Sequence, residues 1–169
     1  MMTIMHKQAN NILCDYYHTN NLHALYSNIL SPVTQSLHEV FKGTVRFVLD
    51  LDFKTEQNVL SVKHEFDTVI GSNSLIAVNT NGYGIHLIYP DILLTPQESS
   101  SKASGLKTQL ANYSGNIDTT IYNKILRTIY SNKLVGSREV YVPFNDPQAR
   151  RDANTLVRYS IYSSASSDG

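Results

Sequence analysis

Tryptophan is absent from the 169-residue chain, and cysteine occurs once, at Cys14. A single cysteine excludes an internal disulfide and any multi-cysteine zinc site built by this chain alone. It is compatible with an intracellular setting, cytosolic or nuclear. Charge is also scarce, at 17% of residues against about 25% in an average soluble protein. Fourteen Lys and Arg balance fourteen Asp and Glu, for a net charge of +0. No bulk field draws the protein onto nucleic acid or an anionic membrane, so any such contact needs a local patch. No apolar run approaches the roughly 20 residues of a membrane span. The first eleven residues, with His6, Lys7, Gln8, Asn10 and Asn11, do not read as a secretory signal. Internal repeats and heptads are missing too. What is present is 41% apolar residues, enough for one folded domain spanning 1–169.

Along the chain, residues 3 to 41 read as mostly helical. Ile12, Leu13, Tyr16 and Tyr17, then Leu22, Leu25, Ile29 and Leu30, follow an i, i+4 spacing, with a break or cap at Asn20-Asn21. A further helix is expected from Ser31-Pro32, with Val33, Leu37, Val40 and Phe41 on one face and Gly43 as its stop. The texture then changes. From Val45 to Phe53 the residues alternate, with Val45, Phe47, Leu49, Leu51 and Phe53 on one face and Arg46, Val48, Asp50 and Asp52 on the other. Val59 to Phe66 fits either a strand or a short helix. Ser74 to Asn79 and Ile85 to Tyr89 read as strands joined by an Asn81-Gly82 turn, with Pro90 ending the second.

Residues 96 to 105 are expected to form a polar, mobile loop, followed by a weak helix over 106–113. A short strand is expected at 140–142, a polar loop at 145–151, a final strand at 156–161 and a frayed tail over 163–169. The order of elements gives an α+β fold with a mixed or antiparallel central sheet and helices at the N-terminus; its core covers about 40–162.

Four groups of residues carry chemistry. Asp50 and Asp52 project from one strand face, roughly 6–7 Å apart at Cα, a spacing at which hard oxygen ligands share or bridge Mg²⁺ or Mn²⁺. The plainer alternative is a solvated strand face. His86, in Gly82-Tyr83-Gly84-Ile85-His86, has glycines that leave room for a ligand or a close backbone; the alternative is a hydrogen-bonded strand histidine. Asp118, before Thr119-Thr120, is either a helix N-cap or a third metal ligand if the fold returns it to Asp50 and Asp52. Arg127, Lys133 and Arg138, among Tyr130, Ser131 and Asn132, suit phosphate; the alternative is an ordinary charged hairpin. Arg150, Arg151 and Arg158 form a looser cluster able to touch a nucleic-acid backbone.

In order, Asp50-Leu-Asp52, Gly84-Ile-His86-Leu-Ile-Tyr-Pro90, Ile117-Asp118 with Ile121-Tyr122, and Leu126-Arg127 with Ser131-Asn-Lys133 resemble the archaeo-eukaryotic primase superfamily. The closest likeness is to the branch of large DNA viruses (poxvirus and herpesvirus types) and of primase-polymerases. The segment from Arg138 through Tyr141 to Pro143 and the stretch 156–162 fall where that branch has its later strands.

The resemblance implies a primase-type core with an RRM-like half. Asp50, Asp52 and Asp118 would be catalytic and hold two Mg²⁺ or Mn²⁺ ions. His86, Arg127, Lys133 and Arg138 would bind nucleotide, and Arg150, Arg151 and Arg158 would lie along the template. The activity implied is synthesis of short primers on single-stranded DNA from NTPs or dNTPs, beside a helicase or other replication-fork proteins. The setting would be intracellular, in host nucleus or cytoplasm if the source is viral. Three departures from the pattern stand out. A lysine often seen upstream of the histidine motif is missing from Asn79 to Tyr83. Gly84 replaces the serine often found two before the histidine. No zinc motif or helicase region follows the core, which implies a core working with another subunit or within a longer protein. A catalytically inactive relative that only binds DNA or a replication partner is the main alternative. A metal-dependent nuclease or glycosyltransferase would account for the Asp-x-Asp but not for the later motifs.

Overall fold

The computed structural model describes residues 1–8, 13–29, 36–134 and 137–163. The expected helix start at Ser31-Pro32 and the tail beyond Ser163 lie outside them. The fold is α+β, with two four-stranded antiparallel sheets.

The first sheet is built by β1 (Met2–Lys7), β2 (Cys14–Thr19), β3 (Leu37–Val40) and β7 (Ile125–Arg127), in the order β2-β1-β3-β7. Among the described residues of 3–41, the helical expectation is therefore wrong except for α1 (Leu22–Ile29). Asn21 caps that helix, its side-chain oxygen accepting from the Ala24 N–H at 3.0 Å. In β1 the residues from Met2 to Met5 are all buried, on both faces of the strand. A strand covered on two sides loses its alternation and reads as an apolar run that suits either structure. Pairing to β3 and, through it, to the distant β7 decides between them.

The second sheet is built by β4 (Val45–Asp52), β5 (Leu75–Asn79), β6 (Gly84–Leu94) and β8 (Tyr141–Pro143), in the order β4-β6-β5-β8. β4 follows its alternation: Val45, Phe47, Leu49 and Leu51 are fully buried. The Asn81-Gly82 turn closes with Gly82 at φ +85, a conformation open to glycine. β6 does not stop at Pro90. Its register against β4 jumps from Phe47↔Tyr89 to Arg46↔Leu93, so Pro90 lies in a bulge where no ladder donor is needed.

The open choice at residue 59 resolves as a helix, α2 (Val59–Ile70). Asn58 caps it, Gly71 ends it in the left-handed region, and Val62 and Phe66 are buried. The loop expected at 96–105 is instead α3 (Pro96–Gln109). Thr95 and Glu98 form a capping box: the Thr95 N–H donates to Glu98 Oε1 at 3.0 Å and the Glu98 N–H to Thr95 Oγ1 at 3.2 Å. The strand expected at 156–161 is α4 (Ala153–Arg158), capped by Asp152. Nη1 of Arg46 donates to the carbonyls of Val157, Arg158 and Ser160 at 3.3, 3.1 and 2.9 Å, which satisfies acceptors that the helix end leaves over.

One buried cluster runs through both sheets, from Ile4 and Tyr26 to Phe47, Leu87 and Leu156. Within it lies an acid. Glu39 of β3 accepts from the Tyr26 hydroxyl at 3.0 Å, the Ile161 N–H at 2.9 Å and the Ser160 hydroxyl. Burial pushes its carboxyl upward, and these donors together with Arg46 oppose the shift. Glu39→Ala strands all three donors in a dry interior. A loss of about 3 kcal/mol is expected in chemical denaturation, with Glu39→Gln recovering part of it.

Candidate functional site

β4 and β6 pair so that Asp50 stands opposite His86 and Asp52 opposite Gly84. The other edge of β4 is engaged by segment 116–118. The Asp52 N–H donates to the Asn116 carbonyl at 2.9 Å, the Asp118 N–H donates to the Asp50 carbonyl at 3.0 Å, and Ile117 bridges to Leu51. That pairing returns Asp118 to the Asp-x-Asp. One carboxylate oxygen from each of Asp50, Asp52 and Asp118 lies within 4.8 Å of the others. Asp118 is no helix cap. Its Oδ1 accepts from the Thr120 N–H and hydroxyl at 2.8 and 2.7 Å, which fixes the carboxylate. Below, the Tyr122 hydroxyl donates to the Val48 carbonyl at 2.7 Å and ties the 121–123 turn to β4.

The residues present fit a divalent cation. Asp50 Oδ1 is buried and has no hydrogen-bond partner; His86 Nε2 stands 3.3 Å away without bonding geometry. Three carboxylates this close repel one another. Partial burial, then Asp50 and Asp118, push the Asp52 carboxyl up to about 6. In the unfolded chain the same group titrates near 3.9. The folded state thus binds this proton more tightly, and metal-free stability falls as pH rises from about 4 to about 6, then levels off. A cation does what the proton does. The gain in melting temperature from Mn²⁺ is expected to be larger at about pH 7.5 than at about pH 5. Thermal melts with and without chelator measure this, and equal gains would place the cation elsewhere.

His86 is nearly buried and stacks on Tyr141 of β8, with ring centroids 3.6 Å apart and planes at 14°. The Arg127 guanidinium lies over the same ring at 4.9 Å, and its Nη1 donates to the Glu139 carbonyl at 2.8 Å. Tyr141 therefore carries both. Gly84 makes room for it: a Cβ there would meet the Tyr141 hydroxyl at 2.4 Å.

These groups line a cleft of about 330 Å³ between the two sheets. Asp50, Asp52, Asp118 and His86 form one side. Lys7, His38, Lys124, Arg127 and Lys133 also line it. Burial, then Lys7 and Arg127, lower the His38 imidazole to about 3, so it is neutral.

Of the residues singled out in the sequence, Asp50, Asp52, His86, Asp118, Arg127 and Lys133 meet here. Arg138 is exposed and does not line the cleft. Nor do Arg150, Arg151 and Arg158. Arg150 donates to the carbonyls of Pro147 and Ala149, and Arg158 pairs with Asp146 at 2.7 Å. Sequence reasoning missed Lys7, His38, Thr120, Lys124 and Tyr141. For Lys7 and His38 the signal lay in strands mistaken for helices. For Tyr141 it was its place in a short strand that pairs with β5. No protein-family model matches the chain, and no curated protein matches its sequence.

Proposed function

We propose that this chain is a primase-type nucleotidyltransferase that joins NTPs or dNTPs into short primers on single-stranded DNA. The observation that carries the proposal is a single cleft with three converging carboxylates and, around them, cationic side chains that suit a polyphosphate. The order of the motifs along the chain supports the same reading, and with it a primase-type core in which the second sheet is the RRM-like half.

Asp50, Asp52 and Asp118 would hold two Mg²⁺ or Mn²⁺ ions. Ions of this kind neutralise a triphosphate and lower the pKa of an attacking 3′-hydroxyl. His86 donates to a phosphate oxygen, and Arg127 and Lys133 hold the rest of the triphosphate. Tyr141 keeps His86 and Arg127 in place. The new bond joins the primer 3′-oxygen to the α-phosphorus, pyrophosphate leaves, and the hydroxyl proton passes to water. Positioning and charge supply the acceleration, and no protein nucleophile takes part. Arg150, Arg151 and Arg158 would touch template only where the strand runs on beyond the cleft. With a net charge of +0, template binding would be weak and salt-sensitive, which fits an enzyme held at a fork by a helicase or other replication proteins.

Labelled-nucleotide incorporation on single-stranded templates, with Mg²⁺ or Mn²⁺, tests this. Short products abolished by chelator are expected. Metal-dependent nucleotide binding without products would leave a binding module in place of an enzyme. The absence of both binding and products would overturn the proposal.

A further inference from the structure

The side of the cleft away from β6 is made by three neighbouring strands of the first sheet. Met5, His38 and Arg127 stand directly opposite one another across β1, β3 and β7, so their side chains share a face. Lys7, two residues after Met5, falls on that face as well. Lys7, His38 and Arg127 thus form a row, and all three line the cleft. With strands about 4.8 Å apart, the row is about 10 Å long.

This row is short of partners. His38 is 4% exposed and its Nδ1 has no hydrogen-bond partner. The Lys7 ammonium donates to the Lys133 carbonyl at 3.3 Å, and Arg127 to a carbonyl as well. Among the described residues, no carboxylate lies within 4.0 Å of Lys7, Arg127 or Lys133. A neutral imidazole lies between two cations, and the acids across the cleft attract Arg127 without forming a salt bridge to it; the row thus has donor capacity left for an anion. Its length suits a chain of phosphates better than one phosphate or one carboxylate.

We infer that Lys7 and His38 are polyphosphate-binding residues, so that the phosphates of the substrate are gripped by both sheets. The acids and His86 of the second sheet hold one side, and the row on the first sheet holds the other. Lys7 also fixes Lys133. Its bond to the Lys133 carbonyl is joined by one from the Ser36 hydroxyl at 3.1 Å, so the loop that carries Lys133 is tied to β1 and β3. The substrate class rests on the nucleotidyltransferase proposal; the anion site itself does not need the chemistry.

Titration calorimetry with inorganic tripolyphosphate, with orthophosphate and with a Mg²⁺–nucleoside triphosphate tests the inference on wild type, Lys7→Met and His38→Gln. Tripolyphosphate is expected to bind more tightly than orthophosphate. Each variant should weaken it about 10-fold and leave Mn²⁺ affinity unchanged. The ring ¹⁵N resonances of His38 should shift on adding tripolyphosphate. In the incorporation assay, the variants should raise KM for nucleotide with kcat nearly unchanged. Tighter binding of the nucleoside triphosphate than of tripolyphosphate would mark the nucleotide as the source of the phosphates; the reverse would mark free polyphosphate, and the site would still stand. Unchanged tripolyphosphate affinity in a folded Lys7→Met protein would overturn the inference. Lys7→Met decides alone if His38→Gln fails to fold. A wild type that incorporates nothing, while the variants still lose tripolyphosphate, would sink the enzyme proposal and spare this one. Active variants with unchanged KM would do the opposite.

Discussion

Asp50→Asn is expected to reduce nucleotide incorporation by about 10³-fold while leaving the metal-free protein at least as stable as wild type. The two halves of that expectation have one cause. Asp50 sits at the centre of the acid cluster. Its Oδ1 is buried without a hydrogen-bond partner, its backbone carbonyl receives Asp118, and it faces His86 across the ladder. An amide of the same shape keeps the packing and removes one negative charge from a group that repels itself, so repulsion falls. The same change removes a ligand oxygen where an ion needs it. Mn²⁺ should then give a smaller rise in melting temperature, and that measurement requires no catalysis. A variant that loses both activity and metal-free stability would show Asp50 to be structural, and a fully active variant would move the metal elsewhere.

Gly84→Ala is expected to cost about 2–3 kcal/mol and at least tenfold in nucleotide affinity. The new Cβ would lie 2.4 Å from the Tyr141 hydroxyl, 3.1 Å from its Cζ and 3.2 Å from the Asn79 Cβ. Tyr141 and Asn79 are both buried on paired strands, so neither side chain has an easy way out. Tyr141 must shift, and with it go the stack under His86 and the ring under Arg127. Tyr141→Phe in the same chain removes the shortest of these contacts. The double variant should therefore be more stable than Gly84→Ala alone, an unusual sign for a second buried substitution. Thermal denaturation and nucleotide titration on the three variants settle the matter. If Gly84→Ala melts like wild type, Tyr141 is not pinned there.

The glycine in the second motif also shows how far the sequence could be read. At Gly84 it showed a missing serine. It did not show that a tyrosine from a strand almost sixty residues later fills the same space, because that depends on β8 joining β5. Where structure follows from local pattern, the reading was good. β4 and the β5–turn–β6 hairpin rest on alternation and a Gly turn. Asp118 was left conditional on the fold, and the edge pairing of β4 meets the condition. The failures have two physical origins. β1 and β3 are buried on both faces, which erases the period that separates strand from helix. α3 and α4 are polar, short or poor in large apolar residues, and their evidence lay in caps, at Thr95-Pro96-Gln97-Glu98 and at Asp152. With the N-terminal strands misread, the basic row of the first sheet stayed hidden.

The acid at Glu39 has a consequence for the order in which the molecule assembles. Its donors lie at Tyr26, Ser160 and Ile161, and the Tyr162 hydroxyl reaches back to the Val40 carbonyl. Over 120 residues separate the two sides of this network. A chain emerging from the ribosome can form β4 and its hairpin partners early, since those contacts are closer in sequence. The first sheet must wait for β7, and Glu39 must wait longer still, exposed or mispaired, until residue 161 is free. Such separations make folding slow. The second sheet waits as well, for β8 and for the 157–161 carbonyls that Arg46 of β4 engages, so both halves of the cleft take shape late, and substrate binding would report completion of the fold.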